Sequence, residues 1–503
     1  MELTLEKRSI PCFNKVYDSR FTREETAESV VPDIMPDIEE ILSADGIVLL
    51  RSKQSEAGRV SLTGSIGVQV LYLPEDGAHL KRLSLDIPFS ISEESPEFFD
   101  GTRAIVGVRL TDIEARALNP RKVLVRAAVC VDLQCYEERE LEVCDGVAGE
   151  ADILVRHSLC GFSPVTGVRE KTFVLADEYM LPSSRLHFGE LLSERVDFAV
   201  EDVKAVGNKL IFKGAAQVSL LYSSEDESEL AEAAFTTSFS QIIDMESAYD
   251  QPDTDVRIML TGAYFEPVQA SEGWSISCEL HMVAQAACSE KIELRYVSDA
   301  FSTGHEAEVY RETLDVGGVE RKMVVRETFR ELYEVTNPVR EVIRARATLS
   351  PPEVIGREVI CPATVNVIYR DDSGRICSTD KAFEVRVSIE LENAMEVNVT
   401  NVSCTEVYAS GAAGGMEIRV PFDIDLAVIS QRGVEVVSGI ELSDEPVAER
   451  SERPSVTVVS AESADIWELA KKYRSTPELI AAANSLAGSD VDAGNVLLIP
   501  SVR

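Results

Sequence analysis

The sequence is poor in positive charge. Its 503 residues include 49 Lys and Arg against 87 Asp and Glu, a formal net charge of −38. Such a chain repels a phosphate backbone, which excludes sequence-independent nucleic-acid binding and disfavours adsorption to anionic lipid. Long apolar runs are missing as well. The longest, such as Ile47–Leu50, fall far short of the roughly 20 residues of a spanning helix, so no membrane insertion is expected. The N-terminus, MELTLEKRSIPCF, has no apolar stretch of the secretory kind, which predicts a protein kept in the cytosol that made it. Ten cysteines are too few for a disulfide scaffold, and in a reducing cytosol they are expected as thiols. With 45% apolar and 27% charged residues the chain is otherwise of folded composition, and its length suits about three or four domains.

Signatures of chemistry are also lacking. There is no GxxxxGK[ST], no HExxH and no GxSxG. Gly411-Ala412-Ala413-Gly414-Gly415 is glycine-rich but sits between two strands with no helix after it, so it reads as a tight β turn and not as a phosphate cradle. Cys130, Cys135, Cys144 and Cys160 lack the short spacings of a zinc site. Cys130 and Cys135 lie an odd number apart, which sends Cys135 inward and Cys130 outward on one strand. The histidines, His79, His157, His187, His281 and His305, are scattered and form no ligand set. Acid pairs such as Glu24-Glu25 and Glu93-Glu94 are what a chain this acidic shows on solvated faces. No catalytic group, no metal ligand and no cofactor is therefore expected, and the chain reads as a non-enzyme.

What is present is repetition. Val60, Leu62, Gly64, Ile66, Val68, Val70 and Tyr72 alternate with more polar residues, the pattern of a strand with one buried face. Leu210, Phe212, Gly214, Ala216, Val218, Leu220 and Tyr222 repeat it, and so do Val359, Cys361, Ala363, Val365, Val367 and Tyr369. The small residue eight before each tyrosine (Gly64, Gly214, Cys361) lets something pass close to the strand. A polar turn follows in each copy: Glu75-Asp76-Gly77, Ser224-Glu225-Asp226 and Asp371-Asp372-Ser373-Gly374. Return strands come next, at Leu83–Phe89, Phe235–Phe239 and Phe383–Ile389. Longer alternating strands follow at Val123–Leu133, Trp274–Ala284 and Met416–Leu426. These are read as three tandem, mainly antiparallel β repeats of sandwich type, at 1–152, 153–304 and 305–442. Before the first core stands Val31-Pro32-Asp33-Ile34-Met35-Pro36-Asp37-Ile38, with looser echoes at Met180-Leu181-Pro182 and Thr336-Asn337-Pro338. After it Ile38, Ile41 and Leu42 are spaced as one helical turn docked on the sheet.

The end of the chain changes period. Residues 443–454, charged and proline-bearing, read as a linker. Beyond it Val456–Val459 suits a short strand, and Ile466, Leu469, Ala470 and Tyr473 mark one face of a helix. Thr476 and Pro477 are the N-cap and first residue of a second helix, and Val496–Ile499 is a closing strand. The order βααβ in 455–503, with Asp465–Tyr473, Thr476–Ile480, Asn484, Gly494 and Leu498-Ile499-Pro500, resembles a LysM module. LysM modules bind N-acetylglucosamine glycans such as peptidoglycan through the loop before helix one and the loop after helix two. Glycan binders usually read Gly-Asp-Thr before helix one. Here Ser463-Ala464-Asp465 stands there, which turns the expectation toward a protein partner. The candidate contacts for partner or glycan are Ser463, Ala464, Asp465, Trp467, Lys471 and Asn484. Trp467 lies about 100° from Ile466, off the core stripe, and reads either as packing against the module's own edge or as an aromatic anchor. Lys471, Lys472 and Arg474 make a small basic patch beside it, suited to an acidic or aromatic-lined surface.

Three acidic β repeats followed by LysM resemble the SipL family of clostridial spore-coat morphogenetic proteins, whose β units are the domain called SPOCS. The resemblance rests on Pro36-Asp37-Ile38, the Gly64–Tyr72 strand and the LysM signature. It implies a structural adaptor made in the mother cell, seated at the forespore surface, joining the coat to a basement-layer ATPase. Peptidoglycan is the alternative ligand.

Overall fold

In the computed structural model, residues 3–502 are described apart from 76–78, 149–151, 183–187, 246–252, 272, 391–394, 405, 431, 448–454, 461–463, 487–489 and 492–495. The protein is mainly β. The first repeat runs β1 (Thr4–Val30), β2 (Ile38–Glu56), β3 (Arg59–Pro74), β4 (Lys81–Glu94), β5 (Arg103–Asn119) and β6 (Lys122–Ala148). The second runs β7 (Ile153–Phe162), β8 (Val165–Met180), β9 (Phe188–Val206), β10 (Lys209–Ser224), β11 (Leu230–Asp244), β12 (Asp253–Ala270), β13 (Gly273–Ser289) and β14 (Ile292–Ser302). The third runs β15 (His305–Asp315), β16 (Gly318–Tyr333), β17 (Val339–Leu349), β18 (Glu353–Ile355), β19 (Glu358–Asp371), β20 (Ile376–Ser388), β21 (Met395–Ser403), β22 (Tyr408–Ala412), β23 (Gly415–Ser430) and β24 (Gly433–Pro446).

Each repeat folds as a sandwich of two antiparallel sheets. In the first, β2-β3-β4 faces β5-β6-β1. In the second, β9-β10-β11 faces β8-β13-β12. In the third, β17-β19-β20 faces β16-β23-β21, with β18 and β22 as short additions. The alternating residues of β3, β10 and β19 are the inner faces, with Tyr72, Tyr222 and Tyr369 almost wholly buried at their ends. Gly58, Gly207 and Gly356, with φ of 79°, 60° and 63°, make the same tight turn into these strands in all three repeats. The Gly411–Gly415 run is the hairpin between β22 and β23, where Ala412 pairs with Gly415.

Ile38, Ile41 and Leu42 are strand, not a helical turn. Two β-bulges, between Ile38 and Glu40 and between Ile41 and Ser43, break the period of two. A bulge inserts one residue, so the buried positions take on spacings of three and four. Cys135 lies in the sandwich core as expected. Cys130, on the opposite face, is fully buried too.

Beyond the sandwiches the first and last strands of each repeat continue as a two-stranded ribbon. The first half of β1 pairs with the second half of β6, from Thr4↔Ala148 to Lys15↔Tyr136. The pairs β7·β14 and β15·β24 are its counterparts. The three ribbons pack on one another through two clusters. One includes Ile10, Phe162, Tyr296 and Val436, the other Cys144, Val297, Ala300 and Ile440. The third ribbon reaches Pro446, so the start of the stretch read as a linker is strand, while 448–454 lie outside the described residues.

The sandwiches themselves close a ring. Leu42, Leu192 and Ile343 from the second strand of each sandwich (β2, β9, β17), Leu71, Leu221 and Ile368 from the third (β3, β10, β19), and Leu80 just before β4 with Leu230 and Ile376 at the starts of β11 and β20 share one core. Around it each third strand bonds the next repeat's second strand. Gln69 Nε2 donates to Glu194 O (3.3 Å), Arg346 Nη2 donates to Ser219 O (3.5 Å), and Asn366 Nδ2 donates to Leu42 O (3.2 Å).

Candidate functional site

The terminal module is β25 (Val456–Ser460), β26 (Ala464–Asp465), α1 (Ile466–Tyr473), α2 (Pro477–Asn484), β27 (Asp490–Val491) and β28 (Val496–Pro500). Asp465 is the N-cap of α1, its Oδ1 accepting from Trp467 N at 2.9 Å. Ile466, Leu469 and Ala470 face inward with Ile480 of α2. Thr476 caps α2 by accepting from Leu479 N (3.2 Å), with Pro477 at the first position. Asn484 is a splice between α2 and β28. It donates to Ile480 O (2.8 Å) and Leu498 O (2.7 Å) and accepts from Leu498 N (2.8 Å).

The outer face of α1 lies against the ribbons. Trp467, 8% exposed, meets Phe301 of β14 edge to face at 4.9 Å, and Phe301 with Leu154 of β7 joins the module's own core. Trp467 Nε1 donates to Asp299 Oδ2 (2.8 Å), and Lys471, one turn on, donates to the same carboxylate (2.7 Å). Arg311 of β15 holds its other oxygen at 2.5 Å. Asp299 is placed for this by a bulge in the ribbon between Val297 and Asp299. Asp465 pairs with Arg156 of β7 (2.7 Å), and Arg474 donates to His305 O (2.9 Å) and pairs with Glu306. Burial disfavours the ionised Asp299, but the hydrogen bonds from Lys471 and Trp467 outweigh it and hold the carboxyl below its usual range.

Of the sequence-selected residues, Asp465, Trp467 and Lys471 thus converge on one intramolecular interface. Asn484 lies away from it, inside the module. The backbone of Ala464 pairs with Val491, which stitches the loop before α1 to the segment after α2, and Ser463 lies outside the described residues. The acceptor side, Asp299, Phe301, Arg156 and Glu306, went unread, because nothing in a lone Asp or Phe of an alternating strand says that a module 165 residues later will cover it.

Other reactive groups are withdrawn. All ten cysteines are free. Burial pushes the thiols of Cys135, Cys278 and Cys288 up to about 12 and that of Cys361 to about 11, so they stay protonated at neutral pH. Among the described residues no three His, Cys, Asp or Glu side chains are grouped to hold a metal ion, and no helix is long and apolar enough to cross a membrane.

The family model described as SipL, SPOCS domain matches residues 37–118 and 189–266, which span β2–β5 of the first sandwich and β9–β12 of the second. The LysM domain model matches 457–500. The first two sandwiches are thus similar to the SPOCS domain and the terminal module to the LysM domain. No curated protein and no solved structure matches the chain. The third sandwich lies outside the SPOCS segments but repeats their strand order, with its second strand interrupted into β17 and β18. The SPOCS–LysM combination is that of a sporulation-related binding or adaptor protein, and both are non-catalytic binding domains.

Proposed function

We propose that the chain is a non-enzymatic adaptor of spore-envelope assembly, working in the mother cell at the forespore surface, whose LysM domain recognises a protein of the coat's basement layer. The observation that carries this reading is how the loop before α1 is used. Asp465 caps the helix and pairs with Arg156, so this residue, at the place where glycan binders keep Gly-Asp-Thr, is taken up inside the chain. The docked face carries an aromatic and two cations on acidic and aromatic acceptors, which is the chemistry of a protein–protein contact.

A partner that uses this face has to displace the ribbon, and its apparent affinity falls by the fraction of chains docked. Asp299→Asn is expected to free the face and tighten partner binding, about tenfold for each ~1.4 kcal/mol of docking removed. Trp467→Glu is expected to weaken it. Titration of the full chain and both variants with the purified basement-layer ATPase tests this. Equal affinities for all three place the contact elsewhere.

The match to the LysM model favours a second reading, binding of peptidoglycan or other N-acetylglucosamine glycans. Calorimetry of the full chain with N-acetylglucosamine oligomers and peptidoglycan fragments separates the two. The adaptor reading expects no saturable heat.

A further inference from the structure

The loop between β1 and β2 is built to hold one apolar side chain in water. Pro32 and Pro36 restrict its backbone, and Met35 N donates to Pro32 O at 2.9 Å. Arg121 clamps it from the β5–β6 turn. Nη1 donates to Met35 O and Asp37 Oδ1 (both 2.8 Å), and Nη2 donates to Val31 O (3.0 Å) and Asp33 Oδ1 (3.2 Å). The Tyr72 hydroxyl donates to Pro36 O at 3.1 Å. Val31 and Met35 turn into the first sandwich's core. Ile34 does not: it is 95% exposed, with Val30 and Leu118 exposed on the strands that bracket the clamp. Beside it a hollow of about 500 Å³ opens between the loop, Pro74, Lys81 and Glu227 of the second sandwich. Folding gains nothing from a solvated isoleucine on a stiffened loop. Binding does, because the ordering cost has already been met. The corresponding loop of the third repeat, 334–338, presents no counterpart of Ile34.

The rim is acidic. Residues 31–40 contain Asp33, Asp37, Glu39 and Glu40 and no base. Arg121 pairs with Asp33 and Asp37, and Arg375 with Glu39 and Glu40, so four carboxylates share two cations and the rim stays negative on balance, while Lys81 is taken up by Glu227. We infer that the Ile34 loop is a docking knob for a partner protein that offers an apolar socket edged by Lys or Arg. A second copy of this chain brings the same acids to the contact and is disfavoured by like-charge repulsion. This surface is independent of the LysM interface.

The test uses the full chain with benzoyl-phenylalanine at position 34, and at position 355 as a second exposed isoleucine for control, crosslinked in cells that make the protein. The species captured only from position 34 is purified and titrated against wild type, Ile34→Asp and Ile355→Asp. The expected result is a loss of about 30-fold or more with Ile34→Asp, the size of an interface hot spot. No change is expected with Ile355→Asp, binding weakens between about 50 and about 500 mM salt, and the unfolding temperature of Ile34→Asp is unchanged. The inference is overturned if position 34 gives no specific adduct, if the adduct is a second copy of the chain, or if the purified partner binds Ile34→Asp as tightly as wild type.

Discussion

Two glycines and a cysteine hold the same place in the three sandwiches because of what lies across from them. Gly64 pairs with Phe89 and Gly214 with Phe239. A Cβ on Gly64 would stand 2.2 Å from the Phe89 ring and 2.4 Å from Leu49 O, and one on Gly214 2.6 Å from Phe239 and 2.3 Å from Ala199 O. Cys361 instead faces Val385, and β17 has already ended at Leu349, so neither obstacle is there. Gly214→Val is expected to destabilise the protein by roughly 1–3 kcal/mol through overpacking. Adding Phe239→Val should restore only part of that, since the Ala199 carbonyl remains. Urea unfolding of the single and double variants reads the difference, and full restoration would exclude the backbone clash. The spacing announced that a small residue was needed here. It did not say why, because the phenylalanine lies on another strand and the carbonyl on a third.

At the scale of elements, the docked LysM helix has a pH signature. The Asp299 carboxyl titrates below its ordinary value of about 4 when docked. Its contribution is therefore complete at neutral pH and is lost as pH falls through the lowered value. Docking is expected to hold from neutral pH down to about pH 4 and to fail in stronger acid. Asp299→Asn should loosen it at every pH. Acrylamide quenching of Trp467 in a Trp274→Phe chain follows both, and quenching that ignores pH and Asp299→Asn alike would remove Asp299 from the interface. Elements also show where sequence reading stops. Strands such as β3 and β10 are legible because one face is buried and the other solvated. The ribbon half of β1 is not, since Thr4–Lys15 is mostly exposed and its partner lies some 130 residues away in sequence. The helices of the LysM domain were legible because the apolar stripe Ile466, Leu469, Ala470 and Tyr473 and the cap Thr476 with Pro477 are local signals, whereas the cap at Asp465 went unread.

For the whole molecule, the ring of sandwiches is locked by charge at equivalent positions. Asp45, Arg195 and Arg346 occupy the same place in the three second strands, as do Ser43, Ser193 and Arg344. Arg346 Nη1 bonds Asp45 Oδ2 at 2.8 Å and Ser193 Oγ at 3.0 Å, while Arg344 reaches Ser43 Oγ (2.8 Å) and Ser193 Oγ (3.3 Å). Burial opposes the charge on Asp45, but Arg346, Arg195 and Arg344 together keep its carboxyl below the usual range. Arg346→Met leaves that carboxylate without its main partner and is expected to cost about 3 kcal/mol. A double variant with Asp45→Leu should be more stable than Arg346→Met alone, and denaturant unfolding of the four chains measures the coupling. A pair that behaves additively is not a lock.

The ribbons decide how the molecule answers to force. In each repeat the chain enters and leaves at one place: Thr4 is paired with Ala148, Ile153 with Ser302, and His305 with Pro446. A load applied between the N-terminus and the LysM domain therefore pulls every ribbon apart from its open tip, breaking the antiparallel rungs in succession and not all together. The chain lengthens first by peeling of the ribbons, and each sandwich, where the strands also pack against a facing sheet, comes under load after them. Three such ribbons in series give the chain three places where length is released before any sandwich core is exposed.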